Sequence, residues 1–112
     1  MDIKIEKALN HLRDFAPKLA KAKSNQVYLE QFRKTKKALL MVEAQEKGIT
    51  AGNKQEVYAY AHPEYLELLV GLKVAVEEHE ELKHLQIAAN LKIECWRTIQ
   101  ANNRKEFGQY GN

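Results

Sequence analysis

What this 112-residue chain has little of narrows it quickly. Cysteine occurs once, at Cys95, so no disulfide forms within the chain and a reducing compartment fits. Cys95 lies beside the apolar positions of a helical pattern, which makes it a small buried hydrophobe in expectation. The only prolines are Pro17 and Pro63, and the few glycines do not cluster into a phosphate-cradling loop. No stretch alternates apolar with polar residues as a strand would. No apolar run approaches the roughly 20 residues that cross a bilayer. The opening MDIKIEKALNHLRDF is mixed in charge from its second residue, unlike a secretory signal. Together these absences point to a cytoplasmic, all-α chain without a membrane segment.

What fills the chain instead is helix-forming Ala, Leu, Glu, Lys and Gln. The longest periodic stretch runs from Pro63 to about Phe107. Leu68, Leu72, Ala75, Leu82, Ala89, Ile93 and Trp96 recur there at steps of three, four and seven. Pro63 suits the first turn of a helix, where a backbone donor has no partner anyway. An unbroken helix of that length spans about 65 Å. A compact chain of this size has a radius of gyration of about 13 Å. Such a rod needs another long helix along its stripe.

That helix is expected over 18–47, with Tyr28, Phe32, Leu39 and Val42 as its apolar stripe and Gly48 as its left-handed terminator. Pro17 ends or kinks an earlier piece, 2–16, whose inner side is Ile5, Leu9, Leu12 and Phe15. Asn53 with Glu56 three residues on reads as a capped start for a short helix, 54–61. A bend is expected at His62, before Pro63. The resulting architecture is an antiparallel pair of long helices with the short N-terminal helix packed across. It forms a single domain over 1–112 with a flexible tail over 108–112. Because about 45 residues face about 30, part of the longer stripe is left bare. Leu85, Ile93, Trp96 and Ile99 then become interface or core residues of a homodimer or a higher symmetric oligomer, two-fold symmetry being the expected form.

Chemistry is thinly represented. His79 and His84 flank a Glu-rich turn but are five residues apart, so they do not share a helical face as a metal pair does. Glu77, Glu78, Glu80 and Glu81 read as a solvated face or as partners for a basic helix, not as a catalytic pair. No nucleophile and base are placed together, and neither metal nor cofactor is expected. The protein reads as a non-enzyme.

The stronger signal is positive. Net charge is +3, with eleven Lys and Arg against six acids in residues 1–50 and seven against nine in 51–112. Arg33, Lys34, Lys36 and Lys37 lie within five residues, and Arg97, Arg104 and Lys105 add charge near the other end. In an antiparallel hairpin these two zones become one patch suited to phosphate contact. The segments YLEQFRKTKKALLMVEAQ, AYAHPEYLELL and LKIECWRTIQANNR resemble a family of small helical proteins encoded by tailed bacteriophages in their early regions. The resemblance covers roughly residues 20–105, with FRKTKK and WR…NNR as its signature positions. It implies a role in an infected host cell, in one of two forms. The first is an accessory protein that binds nucleic acid through the basic helical face during recombination or replication. The second is a protein that binds and inhibits a host nuclease or a CRISPR-type defence complex, using the acidic 64–81 segment or exposed tyrosines as anchors.

Overall fold

Strong helix formers run almost without interruption through the two long stretches, and both are helical throughout. The computed structural model describes residues 2–110, and at 109 and 110 the backbone alone. It comprises α1 (Ile3–Glu46), α2 (Gly52–Ala61) and α3 (Pro63–Tyr110), with no strand among the described residues.

Pro17 neither ends α1 nor isolates a short N-terminal helix: residues 3–16 run unbroken into the rest of α1. A proline inside a helix loses one backbone hydrogen bond and crowds the preceding turn, at a cost of about 3 kcal/mol. Leu12, Phe15 and Leu19 keep their three-and-four spacing on the inner side across it, so packing holds the two sides of the proline in one helix. The long helices are consequently near equal, at 44 and 48 residues. The bare length of stripe expected from unequal helices therefore does not arise. Of the residues expected as a tail, 108–110 belong to α3, while Gly111 and Asn112 lie outside the described residues.

The α1–α2 connection is closed by Gly48 at φ 92°, the left-handed region that side chains resist. Its N–H bonds the Gln45 carbonyl and the next N–H, of Ile49, bonds Ala44, the paired pattern of a Schellman close. The cap expected from Asn53 is absent. The N-cap of α2 is Ala51, without a side-chain bond, and Gln55 instead donates to the Ile49 carbonyl at 2.8 Å. Between α2 and α3 the bend falls at His62, which is extended at φ −66° and ψ 134°. Its ring caps α3: Nδ1 accepts the Glu64 N–H at 3.1 Å.

The chain divides into two units. Lys21–His79 contains the second part of α1, all of α2 and the first part of α3. Its core is Leu40, Ala59 and Tyr65, with Met41 and Leu69 against them. Tyr60 meets Tyr65 edge-on at 5.4 Å. The other unit joins Met1–Ala20 to Glu80–Asn112, the first part of α1 beside the last part of α3. Ile5, Ala8 and Ala89 are buried there, with Leu12, Phe15, Leu82, Ile93 and Trp96 half-buried. Ile93 and Trp96 thus pack within their own unit, whereas Leu85 and Ile99 are exposed.

Candidate functional site

Burial along each long helix follows a seven-residue count. On α1 the buried or half-buried positions include Ile5, Leu12, Leu19, Gln26, Arg33 and Leu40, and, three residues after each of the first five, Ala8, Phe15, Ala22, Leu29 and Lys36. On α3 the same count picks Tyr65, Leu72, His79, Gln86, Ile93 and Gln100, together with Leu68, Ala75, Leu82, Ala89 and Trp96. This is the a/d seam of paired helices. The stripe expected on α3 is this seam. The stripe expected on α1 is not.

In Lys21–His79 three of the four residues expected as the α1 stripe point outward. Tyr28 is 63% exposed, Leu39 56% and Val42 52%, and Tyr28 stacks on half-buried Phe32 at 6.0 Å. Leu40, next to Leu39, is the buried leucine. The physical reason lies in the opposing helix. Small Ala22 and Ala75 occupy seam positions, and half-buried Gln26, Arg33 and Lys36 take others on α1, long side chains whose stems are apolar, beside Leu29, Leu40, Leu68 and Leu72. Gln26 and half-buried His79 meet across the seam at 2.7 Å.

The basic cluster is consequently split. Arg33, Lys36 and Lys37 are half-buried and Lys34 alone is exposed. Lys36 pairs with Glu64 at 2.6 Å, and Lys37 with Glu56 at 3.3 Å while lying 4.8 Å from the Tyr60 ring centre. Tyr60 and then Glu56 raise the Lys37 ammonium above its ordinary value. The Lys36 ammonium lowers the Glu64 carboxyl. Near the α1 end, Lys47 lies 5.4 Å from the Tyr58 ring, which raises it. His62 places Nε2 3.5 Å from Glu43, opposite the nitrogen that caps α3. The acids that meet these lysines are Glu56 and Glu64; of the four read as a solvated face or as partners for a basic helix, Glu77, Glu78 and Glu81 are exposed and Glu80 is half-buried.

In the other unit Arg97, Arg104 and Lys105 are exposed, with no ion-pair partner among the described residues. Trp96, Arg97, Gln100 and Arg104 line a shallow groove of ≈ 310 Å³. A second groove of ≈ 310 Å³ has an apolar floor of Ala8, Phe15, Leu85, Ala88 and Ala89 and a rim of Lys4, Lys7, His11 and Lys92. Cys95 is exposed, against expectation, because it falls on the side of α3 away from the seam, beside Leu91, Thr98 and Ile99. His84 faces Glu80 at 3.9 Å, one turn away on α3.

No family model, curated protein or solved structure matches the chain. No helix is long and apolar enough to cross a membrane among the described residues. The outward aromatic and aliphatic residues of α1 are legible as apolar in the sequence, but periodicity puts them on the wrong side. Counting sevens from the alanines, Ala8 to Ala22 and Ala75 to Ala89, is the signal that places them correctly.

Proposed function

We propose that this chain is a non-enzymatic docking protein that acts by covering a surface of another protein. The observation that carries this reading is the reversal on α1: Tyr28, Leu39 and Val42 face outward while Lys36 and Lys37 are held by acids of their own unit. Exposed aromatic and aliphatic side chains at helical spacing suit a protein groove, with Tyr28 on Phe32 as the rigid anchor. The phage resemblance makes a host nuclease or a CRISPR-type defence complex the partner class, inside the infected cell. The test is inhibition of such purified enzymes by the wild-type chain and by a Tyr28→Glu/Leu39→Glu variant. Loss of inhibition in the folded variant supports the reading; equal inhibition by both, or none by either across the class, sinks it.

A nucleic-acid reading is favoured by one feature, the Trp96 groove with Arg97, Arg104 and nearby Lys105, which have no ion-pair partner among the described residues. An indole flanked by guanidinium groups suits a stacked base and its phosphates. Three phosphate contacts imply a salt slope of about −2 to −3. Absence of any shift with single- or double-stranded DNA at low salt removes it.

Self-association belongs to the same reading. Among the described residues, six of the nine buried hydrophobic ones are alanines, while sixteen large apolar side chains are exposed. Helices with so thin a core gain stability by covering those side chains in a homodimer.

A further inference from the structure

We infer that the groove between the first part of α1 and the last part of α3 binds an acidic amphipathic helix of another protein. This goes beyond the docking face of Tyr28 and Leu39, which lies in the other unit and shares no residue with the groove. The groove is built wholly within Met1–Ala20 and Glu80–Asn112. Buried Ala8 and Ala89 and exposed Leu85 and Ala88 make an aliphatic floor, and half-buried Phe15 stands at one end. Lys4 and Lys7 rise on its α1 side and Lys92 on its α3 side. All three are exposed, with no ion-pair partner among the described residues.

The groove carries charge of one sign, because no acid lines it. Of the acids in residues 2–20, Asp2 accepts the Lys4 N–H at 2.8 Å and Asp14 faces Arg13 at 3.5 Å. Glu6, the third, lies about 100° or more around the helix from both Lys4 and Lys7. On α3, Glu94 is about 160° around from Lys92, and Glu81 lies one turn beyond Leu85. An anionic occupant therefore meets attraction on both sides of the floor. Three features make that occupant a helix. From Lys4 to Phe15 the groove runs about 16 Å, three turns of a helix laid along it. Floor alanines let another helix backbone approach closely. Both walls are helices, so an extended peptide finds no strand edge to join. A nucleic-acid strand is less suited. His11 stacks on the Phe15 ring at 5.2 Å and the Lys18 ammonium lies 5.7 Å from its centre, so that ring is occupied and the bare floor is aliphatic.

The experiment is fluorescence anisotropy of the full chain with a labelled helical peptide of about 15 residues, leucines at steps of three and four and glutamates on both flanks. The expected dissociation constant is about 100 μM at low salt, rising with ionic strength. The same peptide with lysines for glutamates should not bind. Lys4→Glu/Lys7→Glu/Lys92→Glu should weaken the glutamate peptide by about thirtyfold and take up the lysine peptide instead. Ala88→Gln, which raises the floor at an exposed position, should weaken binding by about tenfold. Tyr28→Glu/Leu39→Glu should leave it unchanged, which separates this site from the α1 face. Helical circular dichroism checks that each variant is folded. Equal binding of both peptides, indifference to the charge reversal, or no binding at about 1 mM overturns the site. A wild-type dimer that Ala88→Gln alone splits makes a second copy the occupant and overturns the proposal. A single-stranded oligonucleotide that binds through the same lysines while the peptide does not also overturns it.

Discussion

Replacing Leu40 by alanine tests the orientation of α1 directly, because its neighbour Leu39 is the internal control. Leu40 is 3% exposed and packs with Ala59, Tyr65, Met41 and Leu69. Truncation removes three carbons, about 2.4 kcal/mol of transfer free energy. A cavity term adds to that, reduced because flexible Met41 can move into the space, so the total should be about 3 kcal/mol. Leu39, 56% exposed, loses at most half the transfer term and gains slightly in helix propensity, for a net loss below about 1 kcal/mol. Urea unfolding followed by circular dichroism, at one protein concentration so that association is held constant, measures both. The corresponding fall in melting temperature should be about 10–15 °C for Leu40→Ala and a few degrees for Leu39→Ala. Equal losses, or a larger loss at Leu39, would mean that the apolar stripe of Tyr28, Phe32, Leu39 and Val42 faces inward after all. The outward docking face would then fall with it.

Gly48→Ala should cost about 1–2 kcal/mol in the same assay, wholly from backbone strain at φ 92°, since no atom lies within 4 Å of an added Cβ. His62→Ala should cost about 1 kcal/mol through the lost cap on the Glu64 N–H, and His62→Asn should recover most of it; equal losses in both would remove the capping role. Glu64 is held below its ordinary value by Lys36, so its contribution is full above the unfolded value near 4.5 and is lost as pH falls through the folded value. Lys36→Gln should therefore flatten the acid limb of a stability–pH curve. Lys37 is raised by Tyr60 and Glu56, so its contribution is full below 10.5 and is lost as pH climbs through the raised value; Tyr60→Phe should bring that alkaline loss to lower pH.

Much of the fold was legible because helix propensity and period agree over most of the chain. The α3 stripe, the left-handed close at Gly48 and the bend at His62 all arise from local rules that tertiary contacts do not oppose. Pro17 misled because the local penalty of one proline is smaller than the packing of a long helix around it. The α1 face misled for a different reason. Period analysis assumes that the most hydrophobic side is the inner one, and near residue 33 it is not. The seam there holds Gln26, Arg33 and Lys36, whose stems are apolar but whose residue types count as polar. Cys95 was misplaced by the same assumption, being one step from the seam at Trp96 but exposed beside Leu91 and Ile99. The Asn53 cap failed because α2 begins before it, at Gly52.

The inverted polarity itself argues for function in the outer faces. In Lys21–His79, a Gln26–His79 hydrogen bond and a half-buried Arg33 occupy positions where Leu or Ile would bury more apolar surface. Polar seam residues of this kind fix register at a cost in stability, because a slipped pairing strands a polar group against an apolar one. A hairpin selected only to stay folded would place Tyr28, Leu39 and Val42 inside and the lysines outside. Here Lys36 and Lys37 are half-buried, held by exposed Glu64 and Glu56 and the Tyr60 ring, while Tyr28, Leu39 and Val42 are left in water. Local rules are broken in natural proteins chiefly where a function repays the loss. The apolar face that the fold declines to bury is therefore the one that a partner has reason to cover.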